Sequence, residues 1–525
     1  MYVGDIASTQ PDTPAVVMAG SGHVTTYGEL EARSNQFAHL FRSRGLSAGD
    51  HLSIVVDNCP AFFGIALAAH RIGLHYTPIS THLTPSEIGH IIADSDARAL
   101  VASARLSDIV SAVPTGPRTD LRLAVEGAID GYEFAPDLLA EQPTSRPGDE
   151  TAGSPLLYSS GTTGRPKGVE FPLSRAHPRE IDSFTGAFTN QFGIDERTVF
   201  LIPGPLYHTS PLFYANMVLR VGGRLVVLER FDAETTLRTI EQYRVTHSFF
   251  VPTMLLRMLR LPEDVRSRYR LDTHVWSLHG AAPCPPGVKV AMREWWGPIL
   301  WEGYAGSERN GMTILTPAEA QIHPDSVGLP VGCGVEVVGL GGEPVATGET
   351  GLVYFTGGHQ FRYHHDEEKT AAAYLRPAVS TLGDIGHVDA DGFLYLTDRQ
   401  ANVIISGGVN IYPQEAEAVL ALHPNVQDVA VIGVPDEDMG ESVHALIQLN
   451  DPDAGSAELA ANLIEYCRAR VARYKAPRTV EFVRTLPRLP NGKLVKHGLR
   501  SAHHPAGSPP GGPADDPVTK AKGRR

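Results

Sequence analysis

Apolar and polar positions alternate at two spacings along the first four hundred residues. Short apolar runs, typical of buried strands, are followed by longer stretches in which apolar residues recur at helical spacing. The runs are 52–56, 199–202, 225–228 and 248–251, and the longer stretches include 61–72 and 232–243. This alternation predicts layered α/β sheets.

The pattern changes after Arg399. This part contains strand-like runs at 403–405, 429–434, 445–449 and 479–483 and helix-like stretches at 414–422 and 458–473. We therefore predict an α/β protein with a large domain of layered sheets over 1–398 and a small, mobile α+β domain over 399–500, a usual domain size. Residues 501–525 hold few apolar side chains, so we predict a disordered tail there.

Composition narrows the function classes. The chain has 525 residues, of which 42% are hydrophobic, so it can bury more than one core. Its 45 basic and 59 acidic residues give a net charge of −14 without a basic stripe, which argues against nucleic acid as a partner. No apolar run reaches the roughly 18 residues of a membrane span. The cysteines are scattered along the chain, at Cys59, Cys284, Cys333 and Cys467. Since no secretory signal is present either, we predict a cytoplasmic protein.

One loop concentrates groups that bind phosphate. Residues 159–168 read Ser-Ser-Gly-Thr-Thr-Gly-Arg-Pro-Lys-Gly and follow a predicted strand at 155–158. Glycines allow close approach of backbone N–H groups, hydroxyls donate hydrogen bonds, and Lys167 supplies a positive charge. The spacing differs from that of the common P-loop. A polyphosphate site is the sharper interpretation, and a plain polar surface loop is the alternative.

Four further blocks follow in the chain. They are 301–308 (Trp-Glu-Gly-Tyr-Ala-Gly-Ser-Glu), 381–386 (Thr-Leu-Gly-Asp-Ile-Gly), Asp398-Arg399, and 489–494 (Leu-Pro-Asn-Gly-Lys-Leu). Alone, each would be a turn or a solvated helix start. A hairpin signal at Asp391-Gly392 places Asp384 just before a small sheet. Together with the 159–168 loop, the blocks resemble the adenylate-forming superfamily of acyl- and aryl-CoA synthetases, peptide-synthetase adenylation domains and luciferases. The resemblance covers about residues 10 to 500.

The resemblance implies ATP, Mg²⁺ and coenzyme A as ligands and assigns roles to individual residues. Nucleotide and coenzyme A binding falls to Ser159, Ser160, Gly161, Thr162, Thr163, Gly164, Lys167, Ala281, Ala282, Tyr304, Ala305, Gly306, Ser307, Asp384, Arg399, Gly407, Gly408 and Lys493. The catalytic candidates are Thr162, Lys167, His208, Glu308 and Lys493, with Glu308 and Thr162 as Mg²⁺ ligands. The substrate-pocket candidates are His208, His279, Gly280 and Arg309.

The chain departs from the family pattern in two places. Ala401 and Asn402 stand where the hinge between the domains often carries charged residues, which leaves the details of the hinge open. Arg309 stands where acyl-CoA synthetases often have a small residue. It either points to solvent or pairs with an acid, or it faces a polar or anionic substrate, because an unpaired buried charge is costly. Apolar stretches at 212–214, 249–252 and 254–256 either line the pocket or belong to the core.

These features predict an ATP-dependent acid:CoA ligase that forms an acyl-adenylate and then a thioester. One alternative keeps the adenylation step but uses another acceptor or oxyanion, namely a carrier-protein thiol, an amine, or nitrite activated to diazotise an aryl amine. Another alternative is a non-catalytic AMP-binding regulator, although the Glu308 and Lys493 equivalents are present. Besides the small-molecule acid, ATP and coenzyme A, the expected partners include a second copy of the chain in a homodimer.

Overall fold

The structure is a computed structural model that describes residues 2–114, 116–159, 166–180, 183–339, 342–407, 409–488 and 494–503. Within them, six parallel strands form a first sheet, in the spatial order Glu133–Phe134, Leu121–Val125, Ala99–Ser103, His51–Val55, His75–Pro78 and Ser154–Pro155. Its central strands are buried along almost their whole length, because helices cover both faces of a parallel sheet.

Nine strands of the described residues form a second sheet. Their order is Leu329–Pro330, Met312–Leu315, Leu300–Ala305, Trp276–Gly280, His247–Phe250, Val199–Ile202, Arg224–Val227, Pro14–Met18 and Val24–Thr26. The six strands from Leu300–Ala305 to Pro14–Met18 run parallel, and the outer strands on each side are antiparallel. One apolar core runs from Val3 to Ile314 and includes residues of both sheets.

Three smaller antiparallel or mixed sheets follow in the described part of the chain. Leu157–Ser159, Lys167–Glu170 and Arg362–Tyr363 form the first, and Gly334–Val338, Gly351–Thr356, Tyr374–Arg376, Val379–Val388 and Leu394–Arg399 form the second. The third contains Ile404–Ser406, Val409–Ile411, Val426–Asp436, Gly440–Leu449 and Thr479–Phe482. It has a separate apolar core of residues from Ile404 to Ala476.

Helices pack on these sheets. They are Val3–Thr9, Tyr27–Ser43, Pro60–Arg71, Pro85–Asp94, Ser107–Val110, Ala135–Ala140, Ser183–Gln191, Thr209–Val221, Ala233–Tyr243, Pro252–Leu259, Glu263–Arg266, Pro286–Trp296, Glu319–Ile322, Glu367–Ala372, Pro413–Leu420, Ala457–Arg468 and Lys496–His503. The 3₁₀ turns are Ala104–Leu106 and Gln400–Asn402. Among the described residues, no helix is both long and apolar enough to cross a lipid bilayer.

The predicted fold class is confirmed, and most predicted elements lie within two residues of the observed ones. Asp232 caps the helix expected at 232–243 by accepting a hydrogen bond from the Thr235 amide. The helix expected at 458–473 ends early, at Arg468. The last helix runs three residues into the predicted tail, and 504–525 lie outside the described residues. The boundary at 398/399 stays a prediction.

Candidate active site

Tyr304, Asp384 and Arg399 are joined by hydrogen bonds. Tyr304 Oη donates to Asp384 Oδ2 at 2.6 Å, and Arg399 Nε lies 3.0 Å from Asp384 Oδ1. Asp384 and Arg399 face each other across an antiparallel strand pair, so Asp384 lies inside the sheet. The hairpin signal in the sequence had predicted that Asp384 lies just before the sheet, and that prediction is wrong. Asp384 is only 5% exposed, and charge-assisted hydrogen bonds are strong in such surroundings.

The Tyr304 hydroxyl is fixed as a donor. Burial, reinforced by the charge of Asp384, raises the pKa of Tyr304 well above its usual value. The Tyr304 ring also stacks near the Phe355 ring, with centroids 5.7 Å apart. An aromatic ring, a carboxylate and a guanidinium are therefore held together as one rigid group, which suits recognition of a ring system bearing hydroxyls.

A second group of charges lies next to this one. Lys167 Nζ donates to Asp366 Oδ2 at 2.6 Å, and Asp366 also caps the following helix by accepting from the Lys369 amide. Lys369 Nζ lies 3.9 Å from the centroid of the Tyr363 ring, and Tyr363 Oη donates to Glu308 Oε1 at 2.9 Å. Burial and the nearby charge of Lys167 lower the pKa of Lys369. Two ammonium groups beside a carboxylate suit a polyphosphate.

Glu308 fits a magnesium ligand. Its Oε1 atom is oriented by the Tyr363 hydroxyl, and Mg²⁺ beside phosphates is usually held by one or two protein carboxylates. The preceding residue, Ser307, is also held in place, since its Oγ lies 2.9 Å from Thr209 Oγ1. The carboxylate therefore has a fixed position beside the two lysines.

A cavity of about 1010 Å³ joins this charged region to apolar walls. The lining at the charged end includes Glu308, Tyr363, Lys369 and Arg399. The apolar walls include Leu212, Phe213, Tyr214, Phe249, Val251 and Met254. The apolar stretches left open by the sequence thus contribute to both pocket and core, because Phe250 and Leu255 belong to the core without lining the cavity.

Arg309 also lines this cavity. Its backbone is left-handed, with φ 51°, which is strained for a residue with a side chain. The guanidinium carbon Cζ lies 5.4 Å from the Phe171 ring centroid and 5.8 Å from the Phe213 ring centroid. Aromatic faces stabilise such a cation. Arg309 therefore lines the cavity beside two aromatic rings, which favours the interpretation that it faces the pocket.

His208 reaches the same cavity from the N-terminal end of the Thr209–Val221 helix. Burial lowers its pKa to about 4, so the ring is neutral at neutral pH. Its Nε2 atom is buried and has no hydrogen-bond partner within the described residues. A neutral nitrogen of this kind can bind a substrate atom without adding charge.

Two profiles of known families match the chain. The profile described as AMP-binding enzyme matches residues 5–363, and that described as AMP-binding enzyme C-terminal domain matches residues 415–493. The chain belongs to the AMP-binding enzyme family. Its adenylate-forming, acyl-CoA synthetase-like character, predicted from the motifs, is confirmed.

Named AMP-binding enzymes resemble the chain over nearly their whole length. The long-chain-fatty-acid–CoA ligase FadD13 of Mycobacterium tuberculosis is 30% identical over 515 residues, which cover 95% of this chain and 97% of that protein. Feruloyl-CoA synthase of Amycolatopsis is 31% identical, with 93% and 95% covered. The structure of the amide bond synthetase McbA from Marinactinospora thermotolerans superposes with a TM-score of 0.78 at 27% identity, covering 95% of this chain and 99% of McbA.

Several predicted positions of this AMP-binding enzyme meet at the cavity. Besides the residues above, Ala281, Ala305, Gly306 and Ser307 line it. Ser159 ends a strand that pairs with Lys167. The remaining predicted loop and C-terminal positions lie outside the described residues; they are Ser160, Gly161, Thr162, Thr163, Gly164, Gly408 and Lys493.

Other predicted positions are not part of the described cavity lining; Lys167, Tyr304 and Asp384 make the contacts given above, and His279, Gly280, Ala282 and Gly407 lie elsewhere. His279 is a correction, because strand alternation directs Leu278 to the cavity and His279 away from it, where Nε2 lies 3.9 Å from Glu302 Oε2. Gly280 packs against the Gly303 carbonyl, and Ala282 is not part of the described lining. Gly407 lies in the Ile404–Ile411 hairpin, where its amide donates to the Met439 carbonyl.

Asp366, Lys369 and Tyr363 were missed by the sequence motifs. The available signal was the string Asp-Glu-Glu-Lys at 366–369, which is typical of a capped helix start and gives no hint of a ligand. Only the antiparallel pairing of Lys167–Glu170 with Arg362–Tyr363 brings these residues to the site.

The segment around Ala401 touches both parts of the protein. Gln400 and Ala401 line the cavity, and the Ala401 carbonyl accepts a hydrogen bond from Arg500 Nη1 at 2.9 Å. Asp398 Oδ1 accepts from the Arg399 amide and from Asn402 Nδ2. Asn402 thus holds the segment through an uncharged contact.

Proposed function

We propose that this protein is an ATP-dependent acid:CoA ligase, the activity predicted from its motifs and in keeping with its family. In the first step a carboxylate oxygen bonds to the α-phosphorus of ATP, and pyrophosphate leaves. In the second step the thiol of coenzyme A attacks the acyl carbon, AMP leaves, and the thiol proton is released. The observation that carries the proposal is the single cavity that runs from Arg399 and Glu308 to the apolar walls.

The Tyr304, Asp384 and Arg399 cluster would hold the nucleoside. Asp384 accepts two hydrogen bonds already, and a carboxylate with several lone pairs can accept further ones from ribose hydroxyls. The cluster is rigid before ATP arrives, so little side-chain entropy is lost on binding.

Lys167 and Lys369 would hold the phosphates, with Lys167 exchanging its bond to Asp366 for one to a phosphate oxygen. Mg²⁺, held by Glu308 and by Thr162 as the family motif implies, neutralises phosphate charge when bound. Lys493 would stabilise the charge that develops at the α-phosphate. These roles rest on the family motif where the residues lie outside the described part.

Release of pyrophosphate would be followed by rotation of the small domain about the segment at Ala401. That rotation would bring the hairpin of Gly407 and Gly408 towards the adenylate, so that the coenzyme A thiol can enter. A thiol needs little activation against so good a leaving group. The homodimer and the cytoplasmic localisation stay predictions.

A second candidate function keeps the adenylation step and changes the acceptor or the acid. Arg309 in the cavity wall supports it, because a guanidinium suits a polar acid or a small oxyanion such as nitrite better than an aliphatic chain. The similarity to an amide bond synthetase adds support for an amine acceptor.

The test is turnover of ATP to AMP and pyrophosphate with fatty acids, aryl acids, aminoaryl acids and nitrite, each with and without coenzyme A, with products identified by mass. We expect a carboxylic acid to give a thioester only when coenzyme A is present. Turnover that ignores coenzyme A but requires nitrite and an aryl amine would refute the ligase proposal. Glu308→Gln serves as the control and should lower every reaction by a similar factor.

A further inference from the structure

Two histidines and a glutamate from three different elements meet in the C-terminal part of the protein. His444 lies in the strand Gly440–Leu449, Glu481 lies in the neighbouring strand Thr479–Phe482, and His503 ends the last helix. His444 is directly opposite Thr479 in the parallel register, so His444, Thr479 and Glu481 lie on one face of the sheet. One potential ligand atom from each of His444, Glu481 and His503 lies within 4.8 Å of the others.

The distances match those of a tetrahedral metal site. Glu481 Oε2 lies 3.5 Å from His444 Nε2 and 3.1 Å from His503 Nε2. Zinc binds nitrogen and oxygen at about 2.0–2.2 Å, and a tetrahedron with such bonds has ligand atoms about 3.4 Å apart. The two distances from Glu481 to the imidazoles therefore match this spacing, and the ligand atoms of all three residues lie within 4.8 Å of one another.

Both imidazoles have their other nitrogen occupied. His503 Nδ1 lies 2.7 Å from the Leu499 carbonyl, which can only accept, so Nδ1 carries a proton. His503 Nε2 lies 3.1 Å from Glu481 Oε2 and, in the neutral ring, offers its lone pair to an ion between these two atoms. His444 Nδ1 lies 2.7 Å from Thr479 Oγ1. Hydrogen bonds at the remote nitrogen are the usual way in which proteins orient histidine ligands of metals.

His444 supplies an independent sign of a missing ligand. The residue is only 9% exposed, and its Nε2 atom is buried without a hydrogen-bond partner within the described residues. That nitrogen is directed at Glu481, 3.5 Å away, at a distance too long for a direct hydrogen bond. Burying an unsatisfied nitrogen costs free energy that a bound metal ion would recover.

We propose that His444, Glu481 and His503 bind one Zn²⁺ ion, with water as the fourth ligand. Two neutral imidazoles and one carboxylate form a borderline donor set that favours zinc over the hard cations Mg²⁺ and Ca²⁺. The site is separate from the cavity, whose described lining contains none of these three residues.

A bound ion would fasten the last helix to the sheet. Two ion pairs already attach this helix, Lys496–Glu417 at 2.8 Å and Arg500–Glu441 at 2.6 Å. The zinc site would add a further attachment at the end of the helix.

Another cluster offers an internal comparison. Asp96, His364 and His365 also bring three potential ligand atoms together, but the His365 side chain is 57% exposed. His364 and His365 are consecutive, whereas the proposed site draws ligands from three elements, which a metal ion would cross-link. The experiment must therefore distinguish the proposed site from this cluster and from a third one, formed by His323, Asp389 and Asp391.

The test uses the full chain, stripped of metal with a chelator, reloaded with Zn²⁺, and dialysed before its zinc content is measured. We expect one zinc ion per chain. His444→Gln and His503→Gln should each weaken zinc binding by more than roughly 100-fold, which exceeds the usual effect of losing a hydrogen bond to a metal ligand. His423→Gln, elsewhere in the same part of the chain, is the matched control and should bind as the wild type does.

Replacement of Zn²⁺ by Co²⁺ supplies a second readout, since a tetrahedral cobalt site has characteristic strong absorption bands. Those bands should appear in the wild type and in His365→Ala and be absent in His503→Gln, which changes a partly exposed residue at a helix end and leaves the fold intact. Binding that survives in His503→Gln but is lost in His365→Ala would overturn the proposal. Absence of retained zinc in the wild type would overturn it as well.

Discussion

Polar groups are arranged differently in two regions of the site. One is the cluster of Tyr304, Asp384 and Arg399, called the nucleoside cluster below, and the other is the wall of the cavity proposed for the acid, called the acid cavity. Tyr304, Asp384 and Arg399 satisfy one another at 2.6 and 3.0 Å before any ligand binds. In the cavity, by contrast, His208 Nε2 makes no hydrogen bond within the described residues, and the Arg309 guanidinium lies between two aromatic rings.

This difference fits what each region would recognise under the proposed function. ATP is the same for every member of the family, so a rigid cluster that is already hydrogen-bonded loses little entropy when it binds. The acid differs between family members, as the names of FadD13 and feruloyl-CoA synthase indicate. A buried nitrogen without a partner in a cavity wall, such as His208 Nε2, confers specificity, because a substrate that does not hydrogen-bond to it leaves that nitrogen desolvated.

Lys493→Ala changes the residue that the family motif assigns to the α-phosphate, and it should have the largest effect. We expect adenylate formation from acid and ATP to fall by roughly 100-fold to 1,000-fold, since a positioned donor that stabilises developing charge typically contributes that much. Thioester formation from a synthetic acyl-adenylate should continue. The two half-reactions are measured separately by pyrophosphate exchange and thioester release, and an equal loss in both would contradict the role.

Asp384→Ala tests the nucleoside cluster alone. It removes the carboxylate proposed to accept hydrogen bonds from the ribose hydroxyls. Two such charge-assisted bonds are each worth about 1.5–3 kcal/mol, so we expect the KM for ATP to rise by at least about 100-fold. The KM for ATP should rise by the same factor whichever acid is used. For Asp384→Asn, the KM for ATP should lie between the values of the wild type and Asp384→Ala. Asp391→Ala, at an exposed hairpin turn of the same sheet, is the control. A factor that varies from acid to acid would break the distinction between the two regions.

Arg309→Gly tests the cavity alone. Glycine accepts the left-handed backbone at φ 51°, so the variant loses the guanidinium without added strain. We expect kcat/KM for polar or anionic acids to fall about tenfold, because one good polar contact is lost. The value of kcat/KM for apolar acids should rise. The KM for ATP should not change. Selectivity equal to that of the wild type would show that Arg309 does not touch the acid.

His208→Gln sharpens the comparison through pH. The folded-state pKa of His208 is about 4, below its ordinary value of about 6.5, so its contribution to stability is complete above pH 6.5. That contribution is lost as the pH falls from 6.5 towards 4, because the unfolded chain binds the proton first. The free energy of unfolding should therefore fall less steeply in the variant, by up to about 1.4 kcal/mol per pH unit.

Urea titrations across that pH range measure this slope. His23→Gln, a change at an exposed histidine, is the control and should leave the slope unchanged. Equal slopes in wild type and His208→Gln would mean that His208 is not buried in its neutral form. Other buried histidines, such as His274, continue to titrate in both proteins.

The sequence predicted the fold well where periodicity is strong. The parallel strand at Val199–Ile202 and the hairpin closed at Asp391-Gly392 were both found, because apolar runs and turn residues are local signals. The end of the helix at Arg468 was not predicted. The apolar spacing continues past Arg468 to Val471, which packs on the core although it lies beyond the helix.

The site was predictable only where a motif carried it. Tyr304, Asp384 and Arg399 belong to short blocks that can be read along the chain, whereas Lys369 and Tyr363 join the site through strand pairing between distant segments. His279 was misplaced because sequence position fixes a strand but not which face a given residue takes. The identity of the acid depends on the shape of the cavity, which no local pattern encodes.

The most direct test of the account follows an oxygen atom. With the acid that the substrate panel identifies, labelled with oxygen-18 in its carboxylate, turnover in the presence of coenzyme A should give AMP that carries one labelled oxygen, because that oxygen bridges acyl group and phosphate in the adenylate. AMP free of label, from a reaction that still forms the thioester, would contradict acid adenylation and with it the central claim.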